Sequence, residues 1–392
     1  MKNKTKLAVF LLGLFLGLVT LMLCVSEIQA ATIKLGAIID KTGATGDVGK
    51  WAWRGIEDFV TYINEKGGVN GKKIQLIIVD DEYNVTKALT LYQQLKAEGV
   101  AGIIGWGTGG AQSLSPHVNN DKIPFIPGSL AESLVDPITP YVFLFSPSYN
   151  DEFFSLLRYA HSHPKQSGRP VRVAFAFNSS PYGMGPIAPA EKLAKELGVE
   201  IVGKEIVELK AADADEQMTR LLAAKPDYLL TQETAPATIA ILKSCKKVGL
   251  DTTVMATFYG GDEKIIDAVG DAAKDYVVVS PFSKWYDEGI EGINVIKEFS
   301  KAHNPDMNEW PLTYIEGWVL ASIFTEAIKN AGANVTGETV QRALEAMKGF
   351  STGGLSANIS FNPADHKGAS GTKLYKADIN TKRFIPLSGW TE

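Results

Sequence analysis

The chain has 392 residues, 45% of them hydrophobic and 21% charged, a balance that fits a two-lobed globular protein and excludes disordered, collagenous and coiled-coil architectures. Its formal net charge of −5 provides no basic stripe for nucleic acid. Cys24 and Cys245 are its cysteines, so no disulfide framework staples the fold, and burial alone must hold the core, which is feasible at this length.

The first residues read as a separate object. Lys2, Lys4 and Lys6 precede an uncharged run over 7–25, and Ile28, Gln29, Ala30 and Ala31 end it. A basic start, an apolar core and small residues at the cut predict a secretory signal peptide over 1–30, removed after Ala30. The competing reading is a retained membrane anchor, because the run approaches the ~20 residues that span a bilayer. Acidic Glu27 and the lack of a positive flank favour the signal. Leu23 before Cys24 is not the small residue of a lipidation site.

From residue 32 two periods alternate. Short apolar runs at 32–39, 74–79, 102–105, 125–127 and 141–145 predict strands. Between them Ile56, Phe59, Val60 and Ile63, then Val85, Ala88, Leu89 and Tyr92, repeat at helical spacing, and a further helix is expected over 111–119. The pattern restarts with strands at 171–177, 201–207, 228–231, 253–256 and 276–279, and with helices at 187–197, around Met218–Leu222 and at 237–248. Beyond Pro281 helices are expected near 292–303, 313–330 and 337–348, returning to cover the first lobe. Near-continuous apolar strands alternating with amphipathic helices predict an α/β protein with two doubly wound parallel sheets.

Ligands of open parallel sheets sit beyond the carboxyl ends of the strands. This points to the loops 42–50, 80–84, 106–112, 128–133, 179–185, 232–235, 257–262 and 282–286. The segment Gly105-Trp106-Gly107-Thr108-Gly109-Gly110 reads as a strand-to-helix turn with N–H groups suited to a carboxylate or carbonyl oxygen. It lacks the Lys-Ser/Thr pair of a phosphate loop. Aromatic residues crowd these loops: Trp51, Trp53, Trp106, Tyr182, Phe258, Tyr259, Phe282, Trp285 and Tyr286. His161 and His163 have no metal-ligand spacing, no Gly-x-Ser-x-Gly elbow occurs, and Cys245 sits on an apolar helix face. No enzyme chemistry, metal or cofactor is expected.

The start Ile33-Lys34-Leu35-Gly36, the run from Asn64 to Ile74 (Asn-Glu-Lys-Gly-Gly-Val-Asn-Gly-Lys-Lys-Ile), Asp80-Asp81, Ile123-Pro124-Phe125 and Pro226-Asp227 resemble the periplasmic binding proteins of branched-chain amino acid ABC importers. That resemblance covers essentially 32–392. It implies a receptor with a first lobe of 31–146 and 281–358, a second lobe of 147–280 and 359–392, and a three-crossing hinge. The lobes would close on a small-molecule ligand and dock on a membrane permease. By the same resemblance Trp106, Thr108, Gly109, Ser129 and Leu130 would contribute from the first lobe. Tyr182, Phe258, Tyr259 and Asp262 would contribute from the second, with Phe282 and Trp285 near the crossover. Val48 stands where leucine binders carry an aromatic, and Phe258-Tyr259 stand where a carboxylate pairs with the ligand's ammonium. A buried ammonium without an anion is costly. The ligand is therefore either an apolar or aromatic carboxylate or amide, or an amino acid met by Asp262 or Glu233. Ligand sensing in signalling, with a retained anchor, is the alternative role.

Overall fold

The computed structural model describes residues 32–391. The first sheet is parallel, with order β2-β1-β3-β4, formed by β1 (Ile33–Ile39), β2 (Ile74–Asp80), β3 (Ile103–Trp106) and β4 (Phe125–Gly128). Helices α1 (Gly46–Glu65), α2 (Val85–Glu98) and α3 (Thr108–Asp121) connect the strands. Nearly all of β1 is buried, as its unbroken apolar sequence requires for a strand covered on both faces.

The chain next forms α4 (Tyr149–Ser162), β5 (Arg172–Phe177), α5 (Pro181–Met184), α6 (Ile187–Leu197), β6 (Glu200–Ile206), α7 (Asp215–Ala224), β7 (Tyr228–Gln232), α8 (Ala235–Val248), β8 (Thr253–Ala256), α9 (Glu263–Val269) and β9 (Val277–Ser280). Along β5, Ala174 and Ala176 pack in one core, while Val173, Phe175 and Phe177 pack in another on the opposite face. This period of two places a hydrophobic layer on each side of the sheet.

Three helices follow: α10 (Glu291–His303), α11 (Leu312–Asn330) and α12 (Gly337–Glu345). They join the core of the first sheet through residues such as Ile296, Trp318, Phe324 and Leu344. Helix α11 crosses α1 almost backbone to backbone. A Cβ on Gly55 would stand 2.1 Å from the Tyr314 carbonyl oxygen, and one on Gly317 would stand 2.1 Å from that of Ala52. Asp58 is buried beside this crossing and accepts from the Tyr314 hydroxyl at 2.9 Å and the Asn304 amide at 2.9 Å.

The final strands, β10 (Lys373–Asp378) and β11 (Arg383–Pro386), extend the second sheet antiparallel, giving β11-β10-β9-β8-β7-β5-β6. The chain therefore passes between the two sheets three times: before α4, after β9 and before β10. The passages touch one another through single bridges, Leu144 with Lys367 and Phe282 with Ser356, and through Phe145 stacked on Phe282 at 5.9 Å.

Several elements differ from the sequence reading. Residues 141–145 form isolated bridges rather than a strand, because the chain is already turning toward the second sheet. Helix α4 was not expected, although Ser148 and Asp151 form a capping box at its start. The strands β10 and β11 were not expected either: β11 has one buried residue, so its apolar signal is faint. Among the described residues no helix is long and apolar enough to cross a membrane. The predicted signal peptide lies outside the described residues.

Candidate functional site

The carboxyl ends of both sheets open on one shared cavity. Thr45 and Val48 reach it from beyond β1, Tyr83 from beyond β2, Trp106, Gly107 and Thr108 from the end of β3, and Gly128 from the end of β4. Opposite them stand Tyr149 at the start of α4, Tyr182 in α5, Thr234 before α8 and Tyr259 after β8.

Carboxylates at the strand ends set the first-sheet loops. Asp40 accepts from the Thr45 N–H at 2.7 Å and its hydroxyl at 2.8 Å. Asp80 accepts from the Lys41 N–H at 2.9 Å and the Thr42 hydroxyl at 2.7 Å, and Asp81 accepts from the Tyr83 N–H at 3.0 Å. The three carboxylates come within 4.8 Å of one another, and these bonds give each a role in holding the loops that carry Thr45 and Tyr83. Burial pushes Asp81 up to about 6. Gly107 has φ 68 and its missing Cβ would lie 2.5 Å from the Tyr83 ring, so glycine alone allows that close approach.

The polar groups of the cavity come from helix starts. Gly107 precedes α3 and Thr234 precedes α8, and among the described residues neither start has a side-chain cap bond. Both starts therefore present partial positive charge to the cavity. Thr108 Oγ1 pairs with Ser129 Oγ at 2.8 Å. Thr234 Oγ1 is buried without a partner. Beside it Glu233 is fully buried; one oxygen accepts from the Asn178 amide at 3.2 Å and the other has no partner. Burial raises this carboxyl well above the ordinary range. Among the described residues no lysine, arginine or histidine lines the cavity.

Tyr259 ties the two sides together. Its ring stands edge-on to Trp106 at 5.9 Å and to Tyr182 at 5.7 Å. Its hydroxyl lies 3.1 Å from the Gly128 carbonyl and 3.0 Å from Glu316 Oε1 on α11. At the rim, the Lys210 ammonium donates to the Gly43 carbonyl at 2.8 Å, and Lys264 lies 5.2 Å from the Trp51 ring centroid.

Of the residues expected from the sequence, Trp106, Thr108, Tyr182 and Tyr259 line the cavity. Ser129 reaches it through Thr108. Gly109 lies in the first turn of α3, and the Leu130 carbonyl accepts from the Tyr149 N–H at 2.8 Å. Phe258 and Phe282 stand behind the wall, packed on each other at 5.8 Å. Trp285 is packed against Trp310 and Tyr286, away from the cavity. Asp262 turns back to cap α9, accepting from the Lys264 N–H at 2.9 Å. Tyr83, Tyr149 and Thr234 were not among the expected residues. Tyr83 and Thr234 lie in loops that the strand ends mark, whereas Tyr149 follows from the unrecognised capping box of α4.

A model of the family described as periplasmic binding protein matches residues 32–382. The Leu/Ile/Val-binding protein homolog 7 of Brucella abortus is 24% identical over 336 residues, covering 81% of this chain and 82% of its own. The leucine-, isoleucine-, valine-, threonine-, and alanine-binding protein of Pseudomonas aeruginosa is 21% identical, covering 89% of this chain and 94% of its own. Among solved structures, a branched chain amino acid ABC transporter protein from Thermus thermophilus with bound valine has a TM-score of 0.86 at 27% identity, over 92% of this chain and 96% of that one. An ABC transporter substrate binding protein from Aeropyrum pernix has a TM-score of 0.85 at 30% identity, over 92% and 95%. The fold and these relatives thus define a two-lobed solute receptor of type I rather than an enzyme. The chain belongs to the periplasmic binding protein family, its relatives include proteins named for branched-chain amino acids, and the family implies a periplasmic location.

Proposed function

We propose that this protein captures an α-amino acid with a compact apolar side chain and delivers it to the membrane permease of an ABC importer. The observation that carries the reading is the meeting of two uncapped helix starts, at Thr108 and Thr234, in one small cavity walled by aromatic rings. A carboxylate fits the start of α3, where backbone N–H groups and the Thr108 hydroxyl favour negative charge. Glu233, next to Thr234 and with one unpartnered oxygen, would give up its proton opposite an ammonium, in place of the loop acid that Phe258 and Tyr259 displace. Val48, Tyr83 and Tyr182 surround the apolar part. The relatives named for leucine, isoleucine and valine support the same class.

The moving bodies are residues 31–146 with 281–358 and residues 147–280 with 359–392. The ligand touches both walls only when they close, which is how binding drives the hinge. Export by a cleaved signal over 1–30 brings the receptor to the permease. One observation favours a second ligand class: burial raises the Glu233 carboxyl, and a neutral acid suits an apolar carboxylate lacking an ammonium. Thermal shift with L-valine, L-leucine, L-phenylalanine, benzoate and hydroxycinnamate separates the two. A shift with the amino acids, reduced in Glu233→Gln, supports the first reading, and a shift with the simple acids alone replaces it.

A further inference from the structure

We propose that Glu316 is a positioning residue that acts as a proton-carrying latch: closing the cleft seats the Tyr259 hydroxyl between the Gly128 carbonyl and the Glu316 carboxyl, and that seat is complete only when the carboxyl holds a proton. This rests on the closing cleft described under the proposed function, but not on the identity of the ligand.

A phenol has one proton to donate, yet the Tyr259 oxygen lies 3.1 Å from the Gly128 carbonyl oxygen and 3.0 Å from Glu316 Oε1. The carbonyl can only accept. Both contacts are satisfied when Tyr259 donates to Gly128 and a protonated Glu316 donates to the phenol oxygen. An ionised Glu316 would compete with Gly128 for one proton and leave a buried acceptor unmet.

The surroundings agree. Glu316 is fully buried and its Oε2 has no partner. The titratable groups that face it are Tyr259 from the turn after β8, and Tyr149 and Glu152 from α4. Among the described residues no lysine, arginine or histidine forms an ion pair with it. Burial pushes the Glu316 carboxyl from 4.5 up to about 8. The closed form therefore holds one proton more than a form in which Glu316 meets water. That stabilisation is complete below the ordinary carboxyl value and is lost as pH rises through about 8.

Two measurements test the latch. Small-angle scattering of the ligand-free protein across this range should show the compact form giving way as pH rises, with a flat profile in Glu316→Gln, whose amide can still donate to Tyr259. Calorimetry with L-valine, in two buffers of different protonation enthalpy near neutral pH, should show uptake of about one proton per binding event in the wild type and none in Glu316→Gln. Affinity should fall by up to roughly tenfold per pH unit between the two pKa values. A wild-type profile without pH dependence, or Glu316→Gln with the wild-type profile, overturns the latch. Absence of valine binding refutes the proposed ligand class, and the scattering then decides the latch alone.

Discussion

The indole N–H of Trp106 donates to the hydroxyl of Thr45 at 2.9 Å, joining the loop after β1 to the end of β3 at the cavity wall. Thr45→Val keeps the shape and leaves a buried N–H unpaired, at a cost of about 1–3 kcal/mol. Urea unfolding should show that loss, and ligand affinity should fall because Trp106 is no longer held. An unchanged unfolding midpoint would mean that water replaces the hydroxyl.

Gly107 and Gly71 both have positive φ, 68 and 76, but a Cβ on Gly71 meets nothing within 4 Å while one on Gly107 meets the Tyr83 ring. Gly71→Ala should cost only the backbone strain, about 1–2 kcal/mol, and leave binding intact. Gly107→Ala should also displace Tyr83 and weaken binding at least tenfold. Paired calorimetry of the two variants measures the difference.

The Thr234 hydroxyl is buried at the cavity without a protein partner. Thr234→Val should leave the melting temperature of the ligand-free protein unchanged or slightly raised, and weaken ligand binding by about 0.5–1.5 kcal/mol, the worth of one hydrogen bond. A lowered melting temperature with unaltered affinity would assign the hydroxyl to the fold.

Phe258 is 1% exposed and packs between Tyr259 and Phe282. The ligand contact that the family resemblance implies for Phe258 would let Phe258→Ala spare the ligand-free fold. The packing reverses that expectation: a large-to-small change here should destabilise by about 3–5 kcal/mol, measured by chemical denaturation without ligand. Binding should weaken as a secondary effect of releasing Tyr259.

Asp227 accepts a bidentate pair from Arg169 at 2.7 and 2.8 Å and the Arg172 N–H at 2.9 Å, and Arg169 holds its carboxyl below the usual range. The folded state therefore binds fewer protons here than the unfolded chain. This stabilisation is present above the ordinary carboxylate pKa and is lost as pH falls through the lowered one. Asp227→Asn should lower the melting temperature by several degrees at neutral pH and by little at strongly acidic pH. A uniform loss at every pH would refute the ionic origin.

Seven of the eight loops marked by strand ends supply cavity residues, because the carboxyl ends of parallel strands point to a site whatever the ligand. Their individual members were less legible. Phe258 and Tyr259 are adjacent aromatics, yet a short turn sends one into the core and the other across the cleft, and no periodicity encodes that choice. Asp262 looked available for an ammonium, but it lies one residue before a helix and caps it. Glu316 was invisible as a cleft residue because it sits within a long apolar helix, where only three-dimensional packing carries its carboxyl to Tyr259.

The crossing of Gly55 and Gly317 has a bearing on biogenesis. Ribosomes make the chain from its amino end, and α1 lacks the helix it crosses until residues 312–330 exist. The Gly55 face of α1 must wait for a segment produced near the end of translation. Under the export proposed above, that face would still be bare when the chain begins to leave the ribosome.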